Sequence, residues 1–94
     1  MLRDETRDKI QARVRGLLHG LDAEAHLLDV ILDSTRQQLA FIIQKGELPL
    51  VLGMNWLDYV SRRDAELSEL LKKGLEERVA AAQRRAEREE AGAV

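Results

Sequence analysis

The stretch FIIQKGELPLVLGMNWLDYV, Phe41 to Val60, places a turn inside the most apolar part of the chain. Lys45, Gly46 and Pro49 favour a turn between two helices. Glycine closes a helix in the left-handed conformation, and proline suits the first turn of the next helix. Large apolar residues flank this turn on both sides. Because such a region is costly to leave in water, we expect another chain to cover this end of the molecule.

The composition favours long helices. The chain has 94 residues, which is enough for one domain, and 34% of them are charged. Helix-forming residues dominate and there is a single proline, a mixture typical of long helices or coiled coils. With one Trp, one Tyr and one Phe, the core must be built from aliphatic side chains.

Charge and motif content argue against several classes of protein. The net charge is −2 with both signs interspersed, which does not favour binding to nucleic acid. There is no cysteine, and therefore no disulfide framework or thiolate zinc site. The first ten residues, MLRDETRDKI, lack the apolar region of a signal peptide, and no apolar run approaches the ~20 residues that span a bilayer. We expect a cytoplasmic protein that binds no membrane.

Ten positions from Ile10 to Ile42 follow the alternating spacings of four and three of a heptad pattern, and seven of them are apolar. The second half of the chain has a similar stripe, interrupted by Asp64. The first half contributes Ile10, Val14, Leu17, Leu21, Leu28, Ile31 and Ile42, and the second contributes Leu57, Val60, Leu67, Leu71, Leu75 and Val79. No segment shows a useful period-two alternation, so the sequence predicts helices and no strands. The predicted fold class is all-α.

These stripes predict an antiparallel helical hairpin forming one domain over residues 1–90. Its arms cover about 2–45 and 49–89, the turn covers 46–48, and residues 91–94 form a frayed tail. The hairpin register brings Arg62 and Arg63 close to acidic residues of the first arm. Glycines at 16 and 20 leave two alternatives for that arm. It is one continuous helix, or it breaks near Gly16–Asp22 into helices over about 2–18 and 22–45.

The residues beside the turn, placed on helices, point in nearly every direction. A helix that is apolar all round must be buried all round, and a single hairpin cannot do this. We expect a second copy to complete a four-helix dimer bundle, although a helix of another protein or a folded-back N-terminal helix would also serve. The predicted interface residues are Phe41, Ile42, Leu50, Val51, Met54, Trp56, Leu57 and Val60.

Chemistry-bearing residues are sparse. His19 and His26 share a possible helix face with acidic side chains, but their spacing matches no known metal motif, and a solvated acidic face explains them better. No serine has a histidine and an acid in a suitable arrangement. The sequence therefore predicts no catalytic residue, no metal and no cofactor, and a protein that is not an enzyme. The alternative is a small ligand- or metal-binding helical bundle, with or without enzymatic activity.

The segment Leu27 to Leu71 resembles the helical hairpin of the small flagellar and type III secretion export chaperones. Gly46-Glu47-Leu48 resembles their turn, and Arg63 to Leu67 resembles part of their second helix. The likeness covers about half the chain, which is shorter and more apolar near the turn than such hairpins. It implies a non-enzymatic, chaperone-like protein whose Leu50–Leu71 helix shields a client helix. The predicted function is thus a self-associating helical interaction protein, acting as chaperone, adaptor or assembly subunit.

Overall fold

A computed structural model describes residues 4–92 and shows helices packed on a small antiparallel sheet. The order of elements is α1 (Asp4–Leu21), β1 (Ala25–Asp33), β2 (Gln38–Lys45), β3 (Leu48–Asn55), α2 (Trp56–Ser61) and α3 (Asp64–Gly92). The strands lie in the order β1-β2-β3, so each neighbour in sequence is also a neighbour in the sheet.

The predictions of an all-α fold, a coiled coil and a four-helix bundle are wrong, because residues 25–55 form strands. In β2 the side chains of Leu39, Phe41 and Ile43 are fully buried, and Ala40 and Ile42 between them face the other way. This is the period-two burial of a strand. The outward residues are also apolar, so the segment has no alternation of polarity, and the helical hairpin implied by the family resemblance is absent.

The turn predicted at 46–48 does fall here, but it joins two strands. Lys45 faces Leu48 in the register, which leaves Gly46 and Glu47 as a two-residue loop. Gly46 has a φ of 58°, whereas Glu47 has no positive φ. That combination is the type II′ turn, whose twist matches the twist of the strands it connects.

The first arm is neither of the predicted alternatives, since its helix ends at Leu21 and a strand follows. Asp22 makes the change of direction: its Oδ1 accepts a hydrogen bond from the Glu24 N–H at 3.0 Å. The same carboxylate meets Lys45 Nζ at 2.6 Å, which ties the end of α1 to the end of β2. The helix does end near Asp22, within the predicted break at Gly16–Asp22, but a strand follows where the second alternative predicted a helix over about 22–45.

The turn between β1 and β2 covers residues 34–37 and is set by Asp33. Its Oδ1 accepts from the N–H groups of Thr35 and Arg36 at 3.1 and 3.2 Å, a local arrangement in which aspartate replaces a backbone acceptor. Gln37 closes the turn at a φ of 53°. Arg62, expected close to acidic residues of the first arm, instead lies 3.7 Å from Asp58 of α2.

One core lies between the sheet and the two long helices, all on the same face of the sheet. Gly74 of α3 allows close packing there, because a Cβ at this position would lie 3.1 Å from Leu52 Cδ2. The buried heptad residues of α1 and α3 pack against the strands, and the two helices also contact each other. The buried residues are Ile10, Val14, Leu18, Ala25, Leu27, Val30, Leu39, Phe41, Ile43, Leu50, Leu52, Tyr59, Leu67, Leu71 and Leu75.

Arg13 of α1 joins the three helices at one end of this core. Its Nε donates to Asp64 Oδ1 at 2.8 Å, and its guanidinium also donates to the carbonyl oxygens of Arg62 at 2.9 Å and Tyr59 at 3.3 Å. The same group lies 5.0 Å from the centre of the Tyr59 ring. These contacts hold the short helix α2 at the end of the sheet, on the side of the core.

Replacing Gly46 by alanine is expected to lower the free energy of unfolding by about 1 kcal/mol, because a Cβ disfavours the left-handed backbone. Gly16→Ala, inside α1 where an added Cβ meets nothing within 4 Å, is the matched control and is expected to raise it by about 0.5–1 kcal/mol. Urea unfolding followed by circular dichroism measures both. Equal effects of the two changes would contradict the hairpin turn.

The Asp22–Lys45 pair is expected to make stability depend on pH. The hydrogen bond from Lys45, helped by the Glu24 N–H, lowers the pKa of Asp22. A lowered folded-state pKa contributes stability that is present above the ordinary value of about 4 and is lost as pH falls through the folded value. Asp22→Asn should therefore cost about 0.5–1 kcal/mol at neutral pH and progressively less below pH ~4 in urea titrations.

Glu47→Gln, which alters an exposed carboxylate in the β2–β3 turn, is the control for the loss of one negative charge. It is expected to change stability little at any pH. A cost of Asp22→Asn that stays constant from neutral to acidic pH would show that the ion pair does not carry the effect.

Candidate interaction surface

The face of the sheet opposite the core is covered by neither long helix, and α2 does not reach it. The Tyr59 ring of α2 lies 6.5 Å from the ring of Phe41, which points into the core, so α2 belongs to the core side. We call the opposite side the outer face. Its positions are His26, Leu28, Asp29, Ile31 and Asp33 on β1, Gln38, Ala40, Ile42 and Gln44 on β2, and Pro49, Val51, Gly53 and Asn55 on β3.

The strand register brings the apolar residues of the outer face together at its centre. Ile42 lies between Asp29 and Val51 in one row, and Ala40 lies between Ile31 and Gly53 in the next. A β-bulge adds Leu28 beside the first row. These residues form what we call the apolar patch: Leu28, Ile31, Ala40, Ile42, Val51 and Gly53.

The apolar patch is open to solvent. Leu28, Ile31 and Val51 are 56%, 51% and 51% exposed, although each is a large apolar side chain in a regular strand. Polar residues close both ends of the patch, with His26 and Gln44 at one end. An apolar centre with a polar rim is the usual layout of a protein–protein interface.

The outer face is also depleted of charge. It has five positions on β1 and four on each other strand, thirteen in all, and only Asp29 and Asp33 are charged. The whole chain has 15 Lys and Arg and 17 Asp and Glu among 94 residues. An antiparallel sheet that faces water normally carries polar side chains on that face, and loss of Lys and Glu is characteristic of interface cores.

Four of the predicted interface residues are wholly or partly in the protein's own core. Phe41 is fully buried under the helices and Leu50 is buried beside it. Met54 and Trp56 are half-buried against the same core, and the Trp56 ring stacks on Tyr59 with centroids 5.8 Å apart.

The other four predicted interface residues are more open to solvent and lie on two separate surfaces. Ile42 and Val51 belong to the apolar patch, Ile42 being half-buried by its neighbours. Leu57 and Val60 lie on α2 and are 70% and 50% exposed. Contact of any of these residues with another chain stays a prediction.

Sequence reasoning missed Leu28, Ile31, Ala40 and Gly53 as surface partners of Ile42 and Val51. The first two were assigned to a helical stripe because their spacing fits a heptad. What groups these residues is the alternation of side chains along a strand. Because Leu39, Phe41 and Ile43 face the core, Ala40 and Ile42 face outward, and the register places Ile31, Val51 and Gly53 beside them.

The histidines do not form a metal centre with the acidic residues near them in sequence. His19 is exposed near the end of α1, and His26 is exposed on the outer face. Within residues 4–92, no group of three His, Cys, Asp or Glu side chains is placed to hold a metal ion. A cleft of about 330 Å³ lies between the end of α1 and α3, but the charges of Asp22 and Lys45 in its wall pair with each other.

None of the helices in residues 4–92 combines the length and apolar character that crossing a bilayer requires. Comparison of the chain with protein-family models, with curated proteins and with solved structures finds no match. The resemblance to export chaperones stays a prediction.

Proposed function

We propose that the protein is a non-enzymatic interaction module that works as a homodimer, with the outer face of the sheet as the contact between the two copies. The observation that carries this proposal is the exposed apolar patch on a face where two of thirteen positions are charged. Self-association is thus proposed again, but through the outer face of the sheet in place of the helical interface that the sequence predicted.

A second copy is the occupant that suits this face best. Two sheets with the same right-handed twist pack face to face about 10 Å apart with strands roughly aligned, and a two-fold axis makes identical faces complementary. An axis parallel to the strands would place β1 over the partner's β3. The carboxylates of Asp29 and Asp33 would then meet an uncharged strand, because LPLVLGMN contains no acid or base.

The area of the outer face is sufficient for a reversible dimer. Three strands of eight or nine residues present a face of roughly 15 by 25 Å. Two such faces, with their side chains interdigitated, would bury roughly 1,000 Å² in total, near the lower bound for a specific interface. If about 600 Å² of this is apolar, the gross gain is ~15 kcal/mol, against an association cost of ~4–15 kcal/mol. The dimer should therefore dissociate on dilution.

Dimerisation through the sheets would leave α1 and α3 on the two outer surfaces. Helix α3 has 29 residues and is about 44 Å long, whereas an eight-residue strand covers about 26 Å. Its C-terminal end, beyond the cleft that Ala81 and Arg85 share with Leu50, therefore extends past the sheet and would project from each copy. An assembly subunit or adaptor with two such helices fits this arrangement.

Ile31→Lys is expected to convert the dimer to a monomer, because the ammonium would be desolvated at the centre of the contact. Sedimentation velocity over a hundredfold range of concentration, with circular dichroism as a check of folding, measures this. The matched control is Leu57→Lys, which makes the same chemical change at a residue that is 70% exposed on α2 and should leave the dimer intact.

The two variants separate the two possible surfaces. A folded Ile31→Lys protein that still dimerises like the wild type would contradict the proposal. Loss of the dimer in Leu57→Lys alone would place the contact on α2, where the sequence analysis placed part of it. A wild-type protein that stays monomeric at high concentration would remove the basis for a homodimer altogether.

A further inference from the structure

The sheet has two free edges, and the hydrogen-bond ladder shows which main-chain groups point to each. The Trp56 N–H donates to the Gln37 carbonyl oxygen at 2.8 Å, and bonded pairs alternate along an antiparallel ladder. Counting back along β3 from Trp56, every second residue forms its main-chain hydrogen bonds with β2. These residues are Met54, Leu52, Leu50 and Leu48. The N–H and C=O groups of Val51 and Gly53 therefore point away from the sheet.

The edge of β1 is partly closed by the protein itself, at Ala25, Leu27 and Val30. The Ala25 N–H donates to the Asp22 carbonyl oxygen at 3.1 Å, and the Leu27 carbonyl oxygen accepts from the Arg15 guanidinium at 3.2 Å. Farther along, the Val30 N–H donates to Asp29 Oδ1 at 2.8 Å, next to the bulge at Leu28. Side-chain capping and a bulge are standard ways of preventing a further strand from pairing with an edge.

The edge of β3 has no such closure over Val51 and Gly53. Within residues 4–92, neither their N–H nor their C=O groups take part in a hydrogen bond. Pro49, which has no N–H, limits pairing only at the start of the strand.

Helix α3 runs beside this open edge and makes a groove with it. Two clefts follow one another along the groove. The first, which we call the Met54 cleft, has a volume of about 330 Å³ and is lined by Met54, Leu70 and Gly74 among others. The second, the Arg78 cleft, has a volume of about 170 Å³ and is lined by Leu50, Ala81 and the side chains of Arg78 and Arg85.

The two clefts differ in chemistry. The Met54 cleft offers apolar surface from Met54 and Leu70. Three charged residues also line it: Asp58, which lies 3.7 Å from Arg62, Lys73 and Glu77. The Arg78 cleft carries only positive charge, and neither Arg78 nor Arg85 forms a salt bridge within the described part of the chain. Unopposed arginines beside an open strand favour a carboxylate on whatever occupies the groove.

We propose that this groove binds an extended acidic peptide segment of a partner protein, which adds to β3 as a fourth strand. The main chain of the peptide would pair with Val51 and Gly53, an apolar side chain would enter the Met54 cleft, and a carboxylate would meet Arg78 and Arg85. Strand addition of this kind is a general mode of peptide recognition, with affinity from the main chain and specificity from the pockets. The proposal does not depend on dimerisation through the outer face.

The spacing of the clefts sets the spacing in the peptide. Gly74 and Ala81 mark their centres on α3 and are about 11 Å apart along the helix. An extended chain covers that distance in three to four residues, and its side chains alternate, so the apolar residue and the carboxylate should be four residues apart. A second copy of this chain fits the groove less well, because its β3 has no carboxylate to offer.

The direct test is fluorescence anisotropy with a labelled, acetylated eight-residue peptide of alternating valine and threonine that carries leucine at position 2 and glutamate at position 6. Binding should weaken at least tenfold, or about 1.4 kcal/mol, when lysine replaces the glutamate. It should disappear when alternate amides of the peptide are N-methylated, because the main-chain bonds are then lost. Equal binding of the N-methylated peptide, or no binding of the parent peptide, would overturn the proposal.

Protein variants localise the site. Arg78→Glu with Arg85→Glu should weaken binding at least tenfold, whereas Lys9→Glu with Arg36→Glu, which changes the net charge equally at exposed positions away from the groove, should not. Gly53→Pro removes one outward N–H and should abolish binding, and Gly53→Ala is its matched control. Circular dichroism confirms that each variant is folded.

Ile31→Lys and Gly53→Pro together test whether a second copy of the chain occupies the groove. Ile31→Lys, which is designed to be monomeric, should bind the peptide as the wild type does, so failure of the dimer would leave this test intact. Self-association that survives Ile31→Lys and is lost in Gly53→Pro would show that β3 pairs with β3 of another copy, and would overturn the peptide proposal.

Discussion

The burial of Leu39, Phe41 and Ile43 beneath α1 and α3 determines how the rest of the sheet is arranged. β2 is the central strand, with hydrogen bonds to both neighbours, so its inward residues fix the facing of the other two strands through the register. A slip of one residue would move three large side chains from the core into water. The same constraint places Ile42 and Ala40 outside, where no helix covers them.

Both proposals follow from this one-sided arrangement. A two-layer structure of helices on a sheet leaves one face of the sheet uncovered and two edge strands with unpaired main-chain groups. The chain blocks part of the β1 edge with Arg15, Asp29 and a bulge, but leaves the apolar patch and the β3 edge open. We infer that the open face serves self-association and the open edge serves a partner, and the two surfaces can act independently because one uses side chains and the other main-chain groups.

The helices were predictable from the sequence, whereas the strands were not. The stripes Ile10–Val14 and Leu67–Leu71–Leu75 have helical spacing and do lie on helices, and Gly46 does form a turn. The strands escaped detection because Ile42 and Val51 are apolar although they face outward, which erased the alternation that identifies a strand. Asp33, Ser34 and Thr35 form a recognisable turn signal that was overlooked. Of the apolar patch, only Ile42 and Val51 were predicted as interface residues. Leu28 and Ile31 lie beside them only because of the strand register, which the sequence did not reveal.

The central claim is that the outer face is covered by a second copy, and contacts between copies test it most directly. Mixing a protein carrying ¹³C-labelled Ile, Leu and Val methyl groups with unlabelled protein allows isotope-filtered nuclear Overhauser effects to be recorded between copies only. The account predicts such effects at the methyl groups of Ile31, Ile42 and Val51. Effects confined to Leu57 and Val60, or none in a sample that sediments as a dimer, would contradict it.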